Sequence, residues 1–188
     1  MNSEFNQLKL PKKMYDRIES KVVELYVELH ICKIPIDPFD IIQRKGFILN
    51  KYSSLPYSRQ IELRQKERDA ISYYDPELKT FVIWYDDSFG LLRVRFTLMH
   101  ELGHIILGHK QESELAKKIA DYFAAYSLVP SPLMQVFHCE DYIDVANQFD
   151  VSVDCADYCF QRYVNWCIFS QKNKPYEIQL MNIFKIYH

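Results

Sequence analysis

His100-Glu101-Leu102-Gly103-His104 lies inside a run with helical apolar spacing, and that placement constrains the chain more than any other feature. Leu91 to Leu107 reads as one helix. Asp86-Asp87-Ser88 breaks the segment before it and can cap its start, and Gly108 closes its end. Leu98, Leu102, Ile105 and Ile106 form an apolar face beside or opposite the histidines. On a helix, positions i and i+4 stand one above the other, so His100 and His104 share a face. Glu101 lies about 100° further round. Such a helix has to be buried on one side and open to a cleft on the other.

The flanks fit that demand. Met14, Ile18, Val22, Leu25 and Leu29 predict a helix over 12–32. Asp37-Pro38 predicts a capped short helix over 38–45, closed by Gly46. Phe47-Ile48-Leu49 is a strand candidate, and residues 51–69 carry no readable pattern. Ala70–Tyr74 and Thr80–Tyr85 form a hairpin pattern around Asp75-Pro76-Glu77-Leu78. Helices follow at Ser113–Leu128, after Ser131-Pro132, over Asp141–Phe149 and over Val153–Phe169. A small meander before the central helix, with helices at both ends, makes the class α+β. One domain over 1–170 is expected, with 131–170 as its C-terminal helical part. Residues 171–188 are set apart as a tail, its apolar stretch Tyr176–Tyr187 unassigned.

Composition excludes several functions. A formal charge of −2 over 188 residues gives no overall attraction to nucleic acid or acidic membranes. The interleaved charges from Arg59 to Arg68 read as a solvated, ion-paired face. Five cysteines without a Cys-x-x-Cys pair, and no signal peptide, imply reduced thiols in a cytoplasmic protein. No apolar run approaches the roughly 18 residues of a membrane span.

The chemistry of the central pentapeptide is specific. Two imidazoles one turn apart can grip one zinc ion, with Glu101 close enough to act as general base toward a zinc-bound water. With six histidines and twelve glutamates, chance produces the pattern in roughly one chain of this composition in a hundred. The extended form with a third histidine needs glycine at 107 and histidine at 110, where Leu107 and Lys110 stand; Gly108 and His109 are each one place out. A carboxylate from the next helix is the alternative. Glu112 and Glu114 are at its start, where acidic residues also suit the helix dipole. Asp121, among Ile119, Phe123 and Tyr126, is the stronger candidate, as metal ligand or as a partner orienting a ligand histidine.

Arg95 to His109, followed by Ala120-Asp121-Tyr122-Phe123-Ala124-Ala125 and Leu128-Val129-Pro130, resembles the two central motifs of the ImmA/IrrE metallopeptidase family. Weaker similarity reaches Ile34-Pro35-Ile36-Asp37, Val151-Ser152 and Arg162, so the resemblance spans most of residues 12–165. It implies a compact gluzincin-like domain and Zn2+ held by His100 and His104, with Glu101 as general base. It also implies proteolysis of a cytosolic regulator; in members on mobile elements this is a helix-turn-helix repressor. One departure stands out. The second motif usually carries glutamates before its Ala-Asp/Asn pair, one of them a zinc ligand, and this chain has Lys117, Lys118 and Ile119. A lysine ammonium has no lone pair to offer. Asp121 or Glu114 then completes the site, or the ion is weakly held and the chain is a peptidase-like scaffold that binds a regulator.

Direct DNA binding by the last two predicted helices is disfavoured, since Asp154, Asp157 and Arg162 are the only charges on the second. His30 and His138 read as structural. Tyr73, Tyr74 and Tyr85 could donate to an oxyanion but more simply pack. Arg95 reads as an anchor for the central helix.

Overall fold

The computed structural model describes residues 10–66, 68–111, 113–169 and 174–185. Its helices are α1 (Lys12–Glu28), α2 (Pro38–Arg44), α3 (Tyr57–Gln65), α4 (Leu91–Leu107), α5 (Glu114–Leu128), α6 (Ser131–Val136), α7 (Tyr142–Phe149), α8 (Val153–Phe169) and α9 (Pro175–Lys185). Its strands are β1 (Ile48–Lys51), β2 (Ala70–Asp75) and β3 (Thr80–Tyr85). The expected α+β class is what the chain adopts. Local chemistry sets most boundaries. Asp37 caps α2 by accepting the Phe39 N–H at 2.9 Å, with Pro38 at the first helical position. Ser113 caps α5 through the Ala116 N–H at 3.0 Å. Asp141 caps α7 through the N–H groups of Ile143 and Asp144 at 2.7 and 2.9 Å.

The sheet order is β1-β3-β2. β1 runs parallel to β3 with Ile48 opposite Val82, and β2 runs antiparallel to β3 with Ser72 opposite Ile83. The hairpin turn is held by Asp75, whose carboxylate accepts the N–H groups of Glu77 and Leu78 at 2.9 and 3.0 Å. The unpatterned stretch 51–69 holds a single 3-10 turn, Tyr52–Ser54, and α3. α3 escapes sequence reading because it buries only Leu63. It is tied down instead by Arg64, whose Nε and Nη2 donate to the buried Asp86 carboxylate at 2.6 and 2.9 Å. Its exposed side carries the expected ion pairs, Glu62 with Arg59 and with Lys66.

α4 lies between the sheet and α5, while α1 and α8 cover the back of α5. That position explains the composition of α5. Ala120, Phe123, Ala124, Ala125 and Leu128 are all buried, as befits a helix packed on several sides. Its back face is pinned by Tyr122, which donates to Glu19 at 2.5 Å and accepts from Arg162 Nη2 at 3.0 Å. The Arg162 guanidinium sits 4.3 Å from the Tyr122 ring centroid and 4.5 Å from that of Tyr15. Arg95, also buried, donates from Nη2 to the carbonyls of Ile36 at 2.8 Å and Phe149 at 3.3 Å, and pairs through Nη1 with Asp150. It is the anchor expected of it, tying α4 to the chain before α2 and to the end of α7.

The segment set apart as a tail behaves differently in its described part. α9 is seated on α1 and α6, with Leu180 and Phe184 fully buried. Buried Glu177 accepts Trp166 Nε1–H at 2.9 Å and the Lys174 N–H at 2.8 Å. Short apolar segments give no such warning, because only the partner surface shows where they go. Residues 171–173 and 186–188 lie outside the described residues.

Candidate active site

His100 and His104 project from α4 on one face, and each ring is held at its Nδ1 edge. His100 Nδ1 lies 2.7 Å from Asp121 Oδ1, across the packed pair α4 and α5. His104 Nδ1 lies 2.9 Å from Nδ1 of His109. With both Nδ1 edges engaged, the two Nε2 atoms face each other at 3.0 Å. Two lone pairs cannot meet at that distance unaided, so a proton or a cation has to lie between them. Two nitrogens bound at 2.0–2.1 Å to one tetrahedral zinc stand about 3.3 Å apart, so a small splay of the rings would admit the ion. The donor pair fits zinc.

Gly103 permits this arrangement. A Cβ there would stand 3.0 Å from Cδ1 and 3.2 Å from Cβ of Phe123, so glycine lets α4 and α5 approach closely enough for Asp121 to reach His100. From sequence, Asp121 is a candidate ligand or orienting partner. Its contact is with Nδ1, on the far edge of the ring from Nε2, which is the geometry of the second role.

Glu101 points toward the sheet, where Ser72 Oγ–H of β2 donates to its Oε2 at 2.5 Å. Tyr52 is fully buried, and its hydroxyl has no hydrogen-bond partner among the described residues. Burial, and then the charge of Glu101, push this phenol up to about 12, so it stays protonated and able to donate. The tyrosines singled out from sequence lie elsewhere: Tyr73 and Tyr74 are exposed, and Tyr85 is buried against Phe39.

A third donor is not in place among the described residues. Among the described residues, no group of three or more His, Cys, Asp or Glu side chains is arranged to hold a metal ion. The Glu114 side chain is 86% exposed, with Lys117 Nζ 3.7 Å away. Glu112 lies outside the described residues. Lys117 is one helical turn before Asp121 on α5. The short connection from α4 to α5 puts that turn toward the His104 end of α4.

The sequence model for the IrrE N-terminal-like domain, a peptidase family, matches residues 59–160, more than half of the chain. The chain belongs to this family. No curated protein matches it. The matched region runs from within α3 into α8, so β2, β3, α4 and α5 lie inside it, while Tyr52 precedes it.

Ser72, Tyr52 and His109 are the residues that sequence reasoning missed. Ser72 and Tyr52 carry no local signal, since Ser72 meets Glu101, and Tyr52 feels its charge, only through tertiary packing. His109 did have one, in the left-handed glycine before it. Burial, and then the charges of His100 and Arg17, hold His109 below the usual histidine range. Among the described residues no helix is long and apolar enough to cross a membrane.

Proposed function

We propose that this IrrE-like peptidase domain is a zinc-dependent endopeptidase acting on a cytosolic protein, with His100 and His104 as ligands and Glu101 as general base. The reading rests on one observation above all: two Nε2 atoms 3.0 Å apart on rings whose other edges are occupied. When bound, zinc supplies Lewis-acid polarisation and brings the pKa of a bound water to about 7. Ser72 holds one oxygen of Glu101, which fixes the carboxylate in place to accept a proton and later deliver it to the leaving amine. Asp121 would orient His100 rather than bind zinc itself, because its oxygen engages Nδ1 and leaves Nε2 free to hold the ion.

An extended peptide suits the setting. β2 is an edge strand of the described sheet, and its Ser72 touches the general base. A substrate segment pairing along that edge would pass Glu101. The resemblance to members encoded on mobile elements makes a helix-turn-helix repressor the substrate to try first.

Lys117 favours a second reading, a scaffold that binds a regulator without cutting it. Zinc analysis of purified protein, together with cleavage assays on candidate repressors, separates the two. The enzyme reading expects near-stoichiometric zinc that His104→Ala abolishes, and cleavage that Glu101→Gln abolishes with zinc retained. Wild-type protein that takes up no zinc and cuts nothing at saturating zinc, yet binds the repressor, establishes the scaffold. In that case Lys117→Glu, which places a carboxylate one turn from Asp121, is expected to raise zinc affinity.

A further inference from the structure

We propose that His109 is a positioning residue for His104, holding the Nδ1 edge of that ring so that Nε2 is presented to Nε2 of His100. The proposal deepens, and rests on, the reading of His100 and His104 as a metal pair.

The placement follows from the end of α4. Gly108 adopts φ +70, and its N–H bonds the Ile105 carbonyl at 3.2 Å while the His109 N–H bonds the His104 carbonyl at 3.0 Å. This pair of bonds folds the second residue past a helix back over the residue five before it, where an apolar contact usually forms. Here the two side chains brought together are imidazoles, with Nδ1 to Nδ1 at 2.9 Å and ring centroids 4.9 Å apart. The backbone therefore delivers His109 to His104 with no help from another element.

The two histidines of α4 are thus supported in parallel, His100 by a carboxylate and His104 by an imidazole. When Nε2 of His104 is committed to an ion, its ring proton sits on Nδ1, and Nδ1 of His109 accepts it. In the zinc-free protein the direction reverses: the Nδ1 proton of His100 goes to Asp121, so the proton between the two Nε2 atoms is on His104, and Nδ1–H of His109 donates to the bare Nδ1 of His104 and favours that single tautomer.

The test compares wild type with His109→Ala and His109→Asn. Asparagine places either an oxygen acceptor or an amide donor near the position of Nδ1, so it can serve whichever tautomer is present. Zinc affinity is read by competition with a chelating dye, and the His104 tautomer in zinc-free protein by long-range 1H–15N correlation. Circular dichroism confirms that each variant is folded. His109→Ala is expected to bind zinc about 10- to 100-fold more weakly and to show mixed His104 tautomers. His109→Asn is expected to recover most of the affinity and the single tautomer. A folded His109→Ala with wild-type affinity and an unchanged tautomer overturns the proposal. Wild-type protein that binds no zinc, but whose His104 tautomer still depends on residue 109, refutes the metal-centre reading and supports the positioning role.

Discussion

Replacing Gly103 by alanine sets two physical effects of opposite sign against each other. In a helix interior the substitution ordinarily stabilises by about 1 kcal/mol, because glycine has the greater backbone freedom to lose. Here the new methyl would meet Cδ1, Cβ and Cγ of Phe123 at 3.0, 3.2 and 3.2 Å. Carbon pairs prefer about 3.5–4.0 Å, so the ring must retreat by roughly 0.5 Å. Phe123 is fully buried and has nowhere to go. Overpacking of that kind costs about 1–3 kcal/mol. The balance is a net loss of about 1 kcal/mol, or roughly 2–4 °C in Tm for a domain of this size. Urea unfolding followed by the fluorescence of Trp84 and Trp166 measures it. Phe123→Leu should relieve the clash, giving a favourable coupling of about 0.5–1 kcal/mol in the double variant. A stabilised Gly103→Ala, or strict additivity with Phe123→Leu, would refute the argument that glycine sets the approach of α4 to α5. Because Asp121 reaches His100 across the same interface, Gly103→Ala should also weaken zinc binding.

Asp121→Ala should lower zinc affinity about 10- to 100-fold without unfolding the protein, with Asp121→Asn intermediate, measured by chelator competition. The Asp86 carboxyl is held down to about 2, chiefly by Arg64. Its stabilising contribution is therefore complete above the unfolded pKa near 4 and is withdrawn as pH falls toward 2. Since the Arg64 side chain is 37% exposed, the pair is partly screened, and Arg64→Ala should lower stability only modestly at neutral pH. That difference should vanish in acid unfolding below about pH 2, where both proteins hold a protonated Asp86. Glu177→Ala strands Trp166 Nε1 and the Lys174 N–H, and should lower stability by about 1–3 kcal/mol in urea. Tyr52→Phe removes a buried hydroxyl with no partner among the described residues, so stability should stay within about 0.5 kcal/mol or rise. A loss above about 1 kcal/mol would show that the hydroxyl is bonded in solution.

Much of this protein is local, and the local part was legible. The span of α4 follows from apolar period and closing glycine, and the shared face of His100 and His104 follows from 3.6 residues per turn. The caps at Asp37, Ser113 and Asp141 are side chains bonding N–H groups two or three residues on, so they too can be read along the chain. Even His109 was within reach, because a left-handed Gly108 dictates where the next residue turns. Tertiary structure alone decided which ring edges are occupied. Asp121 had two plausible roles from its position on a helix, and only the packing of α5 on α4 put its oxygen against Nδ1 of His100. Ser72 meets Glu101, and α9 its buried seat, across separations that no short-range pattern encodes. A helix determines which side chains share a face, whereas what lies opposite that face depends on how elements distant in the chain bury their apolar surface together.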